Sequence, residues 1–388
     1  MNKTSNKTNR AGTALLVVLI IVMAITILSL GFLSRSNVEL ACGENTILRT
    51  QVDYLAESGL EHAKGLILNP QDVISEYWTG AEALQLVMGS NDYYDVNVAK
   101  LGECNYQITC EAYRMKAGER IASSALTGEL RLDPSIALWT GAAWVSEPQI
   151  TVNGDVYVNG TLQGEGYING DAFASSSITA LYVEGRKNEN VTQAPVAWPG
   201  LDISHFSSTY YYGSTGYPVQ VIGPDTYSNC TFGSASSQPP EVFYCGGDIE
   251  LAGGVTINGM LVVQQHLIIS DANSANPNII TAGKNFPALL VNGEMLLRSG
   301  AALQLNGLAQ IANRINLENG AENVDADIVG GLYIANGALD GFGTSSVSNS
   351  INITAAPAMA SIQIWPTAGN PVRWTPCAGA FFRSIERN

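Results

Sequence analysis

The chain has 388 residues, enough for two soluble modules, and its formal net charge is −15. This excess of acidic side chains argues against a nucleic-acid partner, because binding a phosphate backbone requires clustered Lys and Arg. Only 14% of the residues are charged while 39 are Gly. That composition indicates a β-rich body with many tight turns, and it excludes an acidic disordered tail.

A membrane-spanning helix is predicted at the N-terminus. Residues 13–33 contain no charged side chain, and a helix of this length spans a bilayer core of roughly 30 Å. The residues before it carry three cations and no acid, which predicts that they stay on the cytoplasmic side. A cleaved secretory signal is disfavoured because its apolar region is usually about 7–15 residues long. A lipoprotein signal is disfavoured because Cys42 comes well after the apolar run.

The sequence Arg10-Ala11-Gly12, followed at once by the apolar run, resembles the prepilin signal of type IV pilins and type II secretion pseudopilins. The resemblance implies that a prepilin peptidase cleaves after Gly12, that Thr13 becomes the N-terminus, and that the helix is retained. Loss of the leader cations changes the net charge to −18. Shaft-forming pilins usually carry Glu at the fifth mature position, where this chain has Val17. The departure points to a minor, tip-located or priming subunit.

A second stretch carries the same resemblance. Residues 34–68 show apolar side chains at spacings of three and four, which predicts an amphipathic helix ending at Asn69-Pro70. Within it, residues 56–63 read AESGLEHA and are similar to the A-E-x-G-L-E-x-A signature of PilX-type minor pilins. The resemblance implies an assembly role for Val17, Glu57, Gly59 and Glu61. For Glu57 and Glu61 a solvated helix face is the alternative.

A small sheet is predicted after this helix. A short helical piece at 81–88 precedes three strands at 93–98, 106–113 and 120–131, and the last two strands are joined by a turn at Lys116–Glu119. A long helix laid against an antiparallel meander is the architecture that the pilin resemblance implies.

The six cysteines are expected in an oxidising compartment, because the chain beyond the helix leaves the cytoplasm. Spacing suggests the disulfides Cys104–Cys110 and Cys230–Cys245, although connectivity does not follow from spacing. A zinc site is disfavoured because the chain has no C-x-x-C motif and its three His are scattered. No cofactor is expected.

A different pattern begins beyond Asp133–Trp139. Short alternating apolar runs close with Asn-Gly, and either β-hairpins or the corners of a parallel β-helix would explain them. The parallel β-helix, or solenoid, is favoured because the runs are many and only about 3–5 residues long. The Asn-Gly runs lie at 150–154, 156–160, 167–170, 255–259, 289–293, 303–307, 316–320 and 333–337.

Two further features modify this solenoid. Residues 186–245 are rich in Pro, Ser and Tyr and are predicted to leave the coil. Near the C-terminus, residues 361–365 are predicted to form a strand, and Phe381-Phe382 to cover an open coil end. Core or cap packing is favoured over adhesion for Tyr210–Tyr212 and for the pair Trp365 and Trp374.

An enzyme is the remaining alternative. Parallel β-helices that act on polysaccharides bring two or three carboxylates together. Only Asp325 and Asp327 are placed on one side of one strand, as a weak Ca²⁺ candidate. No nucleophile, zinc-protease or phosphate-binding motif is found. Enzymatic activity is therefore not expected, and no other metal site is predicted.

The sequence thus predicts an α+β chain. Its predicted parts are a leader (1–12), a transmembrane helix (13–33), a pilin-like helix and meander (34–134) and a β-solenoid (135–388). The expected function is that of a non-enzymatic minor pilin or pseudopilin subunit in the inner membrane, with its body outside the cytoplasm and in the pilus or on the cell surface after assembly. Expected partners are a prepilin peptidase, other pilin subunits and the inner membrane, with a surface glycan as a further candidate. The alternatives are a single-pass envelope scaffold or carbohydrate-binding adhesin that does not assemble, and a polysaccharide-acting enzyme.

Overall fold

The computed structural model describes residues 9–68, 77–102, 104–270, 276–283, 285–341 and 349–387, with side chains from residue 14 onward. It begins with one helix, α1, at Asn9–Leu68, about 90 Å long. Every described side chain from Ala14 to Ile47 is exposed, and this part of α1 is long and apolar enough to cross a membrane. The predicted helix end at Asn69-Pro70 lies outside the described residues.

An antiparallel sheet follows the helix. Its first four strands are β1 (Gly80–Leu84), β2 (Asp92–Gly102), β3 (Asn105–Lys116) and β4 (Glu119–Leu132). The three predicted strands are confirmed, and so is the turn, where Ala117 and Gly118 have positive φ angles and Lys116 pairs with Glu119. The helix predicted at 81–88 is wrong, because residues 80–84 pair with the edge of β2. Tertiary pairing overrides local propensity there.

The last third of α1 packs on this sheet. Val52, Ala56, Leu60, Ala63 and Ile67 are buried, and their spacing of three or four residues places them on one helix face. They share a core with side chains of β2, β3 and β4. The helix therefore has two environments: its first two thirds are uncovered within the chain, and its last third belongs to the core that it shares with the sheet.

The solenoid is built from two separate segments. The first contains the strands β5 to β13, at Ile136–Thr140, Trp144–Ser146, Ile150–Asn153, Asp155–Val158, Leu162–Gly164, Tyr167–Ile168, Ala172–Ala174, Tyr182–Val183 and Lys187–Asn188. A connecting segment then carries a short 3-10 helix at Ile203–Phe206 and the hairpin β14 (Thr209–Tyr212) and β15 (Thr215–Pro218).

The second solenoid segment contains the strands β16 to β31. They lie at Gln220–Ile222, Thr226–Tyr227, Thr231–Phe232, Val242–Cys245, Ile249–Leu251, Thr256–Asn258, Met260–Val263, Leu267–Ile269, Asn278–Thr281, Leu289–Val291, Met295–Leu297, Ala302–Ile311, Ile315–Leu317, Asp325–Ile334, Leu339–Asp340 and Ser350–Ala355.

These strands form three parallel faces that surround one apolar core. Face 1 runs from β16 through β19, β22, β25, β27, β29, β5, β8 and β11 to β13. Face 2 contains β17, β20, β23, β26, β28 and β30, and β6 and β9 continue it beyond β30. Face 3 runs from β18 through β21, β24, β27, β29, β31, β7 and β10 to β12. The predicted parallel solenoid is confirmed.

The Asn-Gly pairs mark corners of the coil. Asn153-Gly154 separates β7 from β8, and these two strands pair with strands of neighbouring coils and not with each other. The hairpin interpretation is therefore wrong for this pair. Gly is also required where two coils approach closely. For example, Gly330 has a φ of 137°, and a Cβ there would overlap the carbonyl oxygen of Gly307 in the next coil.

The coils do not stack in chain order. The last coil of the second segment pairs with the first coil of the first segment, through Leu332 with Leu138 and Ile351 with Ile150. The chain therefore enters the solenoid in its interior, winds to one end, crosses to the other end, and winds back to its own entry point. The crossing segment is 189–219, which runs from β13 to β16.

Residues 186–245 depart less from the coil than predicted. Strand β13 pairs with β11, and β16 and β18 pair with β19 and β21. About half of the stretch thus belongs to the solenoid, and the crossing segment leaves it. Strands β13, β16 and β18 are two or three residues long and lie among Pro and Ser residues. Their sequences are therefore too short to show an alternation of apolar and polar residues.

The C-terminal residues return to both parts of the structure. A one-turn helix, α2 (Pro357–Ala360), precedes β32 (Ile362–Thr367) and β33 (Asn370–Trp374), and these two strands join β14 and β15 in an antiparallel sheet. The predicted strand at 361–365 is confirmed. Strand β34 (Ala380–Arg387) pairs with β4. The predicted role of Phe381-Phe382 is therefore wrong: Phe382 packs against the core under α1 and not on an open coil end.

The helix signature gives a stability prediction. A methyl group at Gly59 would overlap Cys110 Sγ and lie 2.9 Å from the Tyr94 ring. We expect Gly59→Ala to lower the free energy of unfolding by about 1–3 kcal/mol through overpacking, measured by chemical denaturation of the detergent-solubilised chain.

The matched control is Gly65→Ala in the same helix. A Cβ at Gly65 meets no atom within 4 Å, so Ala there is expected to raise the free energy of unfolding by up to about 1 kcal/mol through helix propensity. Equal effects of the two substitutions would contradict the close packing at Gly59.

Candidate functional site

The exposed part of α1 contains the predicted processing and assembly residues. Gly12 and Thr13 lie within the helix, and the side chain of Val17 is 50% exposed. From the last residue of the apolar run onward, apolar side chains recur at intervals of seven and are all exposed: Leu33, Leu40, Ile47 and Tyr54. A spacing of seven keeps side chains along one side of a helix. The chain therefore presents a narrow apolar stripe that continues beyond the membrane-length segment.

The signature at 56–63 divides between two sides of α1. Ala56, Gly59 and Ala63 face the sheet, so Gly59 serves packing within the chain and not contact with another subunit. Glu57 and Glu61 are exposed, and Glu61 pairs with Lys64 at 2.9 Å. Small residues allow the helix to lie close to the strands. The assembly role of Glu57 and Glu61 stays a prediction.

A groove opens beside this signature. Its volume is about 630 Å³, and it lies between Tyr54 and Glu61 of α1 and Leu86 of the loop that follows β1. The neighbouring Val87 and Met88 are 66% and 95% exposed. The apolar stripe of the helix therefore adjoins an apolar patch of the sheet module, which is the antiparallel sheet of β1 to β4 and β34 together with its loops.

The predicted disulfides do not form. Cys104 lies in the turn before β3, and Cys110 lies within β3, five residues after Asn105 and so about 17 Å from it by strand rise, whereas a disulfide allows about 4.4–6.8 Å between Cα atoms. Cys230 precedes a strand of face 3 and Cys245 ends a strand of face 1. The Cys245 thiol donates to the carbonyl oxygen of Gly247 at 3.5 Å. Burial raises the pKa of Cys110 to about 12, which keeps it a neutral core residue.

The weak Ca²⁺ candidate lies on face 3. Asp325 and Asp327 are on one side of β29, and Asp327 Oδ1 accepts a hydrogen bond from Asn352 Nδ2 at 2.9 Å. Burial raises the pKa of Asp325, and the negative charge of Asp327 adds a smaller rise. Within the described ranges, these two carboxylates are not joined by a third acidic or His ligand.

A different acidic cluster joins the solenoid to the sheet module. Asp155 accepts backbone N–H bonds from Ser135 and Asp171, both at 2.7 Å, and Asp171 accepts one from Arg186 at 2.7 Å. Each bond links one coil, or the chain entry, to the next. Carboxylate oxygens of Asp133, Asp155 and Asp171 lie within 4.8 Å of one another.

Arg186 balances the charge of this cluster. Its guanidinium group lies 2.6 Å from Asp171 and 3.6 Å from Asp133. Burial raises the pKa of Asp155 to about 6, although its two backbone N–H donors oppose that shift. A cation already compensates two of the three carboxylates, so the arrangement serves the stacking of coils. The sequence signal for it was the recurrence of Gly154-Asp155, Gly170-Asp171 and Gly185-Arg186 at intervals of about one coil.

The outer side of face 1 carries an apolar row. Aligned outward positions in successive coils are Tyr244, Val262, Leu290, Gln310, Tyr333, Trp139, Tyr157 and Phe173. The crossing segment and the sheet containing β14 and β32 cover this row. Face 1 is therefore buried on both sides, which explains its nearly continuous apolar strands.

Gln310 is the polar member of that row, and it holds the crossing segment. Its Oε1 accepts from the Leu201 backbone N–H at 3.1 Å, and its Nε2 donates to the Leu201 carbonyl oxygen at 2.8 Å. The ring of Trp198 lies 5.0 Å from that of Trp139 and 6.2 Å from that of Tyr333, between ring centroids. Buried Tyr210 donates to the Pro240 carbonyl oxygen at 2.6 Å. This burial agrees with core packing for Tyr210.

Comparisons with known proteins add little to this geometry. No protein-family model matches the chain, and no curated protein matches it. The crystal structure of the competence-associated pilin ComZ from Thermus thermophilus is similar over 88% of this chain and 98% of that chain, with 10% identity and a TM-score of 0.23. At this identity and TM-score, residues of the two proteins cannot be matched individually, and the likeness carries no argument about family or function.

The buried Asp155 predicts a pH dependence of stability. Its folded-state pKa of about 6 lies above the ordinary Asp value of about 3.9, so the folded chain holds the proton more tightly than the unfolded chain. We expect its stabilising contribution to be complete below pH 4 and to be lost, by about 2–3 kcal/mol, as the pH rises to 6.

Asp155→Asn removes this titration. The difference in free energy of unfolding between wild type and variant is therefore expected to change between pH 4 and 6, as measured by urea denaturation at each pH. Asp225→Asn serves as the control, because it removes a carboxylate of the same kind from an exposed position. Parallel pH profiles for wild type and Asp155→Asn would contradict the assignment.

Gln310 gives a second prediction. Gln310→Ala leaves the N–H and C=O groups of buried Leu201 without partners, at a cost of about 1–3 kcal/mol, and we expect faster hydrogen exchange at residues 198–207. Gln304→Ala, on the same strand but with an exposed side chain, is the matched control. Unchanged exchange in Gln310→Ala would show that the amide does not hold the crossing segment.

Proposed function

We propose that this chain is a non-enzymatic, membrane-anchored minor pilin or pseudopilin-like subunit that presents a β-solenoid outside the cytoplasm. The observation that carries the proposal is the division of α1. One continuous helix has an apolar, membrane-length part that contacts nothing else in the described chain, and a last third that is built into an antiparallel sheet.

The exposed part of α1 requires partners. Side chains from Leu15 to Leu33 are at least 50% exposed wherever they are large and apolar, and lipid covers them only while the subunit stays in the membrane. Once the helix leaves the bilayer, helices of neighbouring subunits are the surface that can cover the same side chains. The stripe of Leu33, Leu40, Ile47 and Tyr54 extends that contact beyond the membrane.

Val17 supports a minor or tip position in this proposal. A carboxylate at that depth of the helix would need a hydrogen-bonding or charged partner within the hydrocarbon. The apolar side chain of Val17 needs none. The solenoid is inserted between β4 and β34 of the sheet, and the side chains of α1 from Ala14 to Ile47 are exposed, so this part of the helix is available for assembly. The prepilin peptidase, other pilin subunits and the inner membrane are the partners that this function requires.

The test is processing followed by incorporation. The full chain, expressed with an active prepilin peptidase and the pilus or secretion machinery of its host, is expected to begin at Thr13 by mass spectrometry and to appear in sheared filaments. Gly12→Val is expected to stay unprocessed. Ile47→Glu is expected to be processed but reduced at least tenfold in filaments, because it places a charge in the stripe.

Asn45→Glu is the matched control for incorporation, since Asn45 is exposed on the same stretch of helix but off the stripe. An intact leader in the presence of active peptidase would overturn the proposal and favour the single-pass scaffold. Normal incorporation of Ile47→Glu would remove the stripe from the assembly surface.

A further inference from the structure

A cleft lies between the crossing segment and the solenoid. Its volume is about 740 Å³, and the residues that line it come from the crossing segment on one side and from four coils of the second solenoid segment on the other. A cleft of this size, formed by two covalently distant parts of one chain, has the dimensions of a small-molecule site.

Aromatic rings stand on both walls of the cleft. Tyr244 belongs to the outer row of face 1, three coil steps from Gln310, which is about 14 Å at the usual strand spacing. Trp198 lines the opposite wall and is held against the rings of Trp139 and Tyr333. Both side chains are only partly buried, so each ring retains surface that a ligand can cover.

Neutral polar groups lie between the two rings. Gln264 and Asn292 occupy neighbouring coils at the edge of face 1, and Ser204 lies across from them on the crossing segment. Gln264 Oε1 accepts from the Tyr244 hydroxyl at 3.5 Å, which leaves its amide donors available. The Asn292 side chain is exposed. Amides and hydroxyls of this kind both donate and accept hydrogen bonds.

The cleft carries little charge. Among the described residues that line it there is no Lys or Arg, and the one carboxylate is Asp202. Asp202 Oδ1 accepts from the Ser204 backbone N–H at 2.8 Å, and that bond lowers its pKa. The lining therefore offers no counter-charge for an anionic ligand, and no second carboxylate for the acid and nucleophile pair of a glycosidase.

We propose that this cleft binds a neutral oligosaccharide without cleaving it. A sugar ring has an apolar C–H face that packs on an aromatic side chain and hydroxyl groups that pair with amides and hydroxyls, which are the two kinds of surface that the cleft combines. The proposal does not depend on assembly into a filament, because every residue in it belongs to the solenoid and its crossing segment.

The experiment uses the full chain in lipid nanodiscs, with cellotriose, maltotriose and chitotriose as probes. Binding is measured by isothermal titration calorimetry and saturation-transfer-difference NMR. At least one probe is expected to bind, and Tyr244→Ala and Asn292→Ala are each expected to weaken binding about tenfold. The control is Tyr182→Ala, because Tyr182 is 54% exposed on face 3 at the far end of the solenoid.

Three outcomes overturn the proposal. None of the three probes binds at millimolar concentration, or binding survives in both cleft variants, or binding falls equally in Tyr182→Ala. Asn292→Ala keeps the test decisive even if Tyr244→Ala alters the fold, since the Asn292 side chain is exposed. Filament incorporation of the same variants is a separate readout, so a failure of glycan binding is distinguishable from a failure of the assembly proposal.

Discussion

The structure depends on one constraint: face 1 of the solenoid is apolar on both sides and cannot face water on either. Its inner side chains fill the core, and its outer row, from Tyr244 to Phe173, is covered by the crossing segment and the small antiparallel sheet. The crossing segment lies along this row and connects one end of the solenoid to the other. The two solenoid segments therefore stack in an order that differs from their order in the sequence.

The stacking of the two segments explains the junction. The last coil meets the first through the pairing of β29 with β5 and of β31 with β7, so the chain enters and leaves the solenoid near the same place. Its two connections continue into β4 and β34, which are neighbouring strands of one sheet. The buried carboxylate of Asp155 lies at this point and accepts a backbone N–H from the entry at Ser135 and another from the following coil.

Helix α1 also has a buried side and an exposed side. Where α1 meets the sheet, Ala56, Gly59 and Ala63 allow close approach and Val52, Leu60 and Ile67 fill the space. Where it leaves the sheet, large apolar side chains are uncovered. One sequence signature therefore encodes packing within the chain, while the stripe on another side of the same helix is exposed.

The sequence alone determined the elements that depend on local pattern. The 13–33 run, the helical spacing at 52–67, the alternation in β2 to β4 and the recurrent Asn-Gly corners were sufficient for the helix, the meander and the parallel coil, because each follows from the period of apolar residues. Only the tertiary structure decided which coils are neighbours, since every coil offers the same inward row and strand edge. It also decided that β34 returns to the sheet, that Gln310 holds the backbone of Leu201, and that Cys104 and Cys110 are a strand length apart, because these depend on contacts between residues distant in the chain or on the distance that an extended strand imposes.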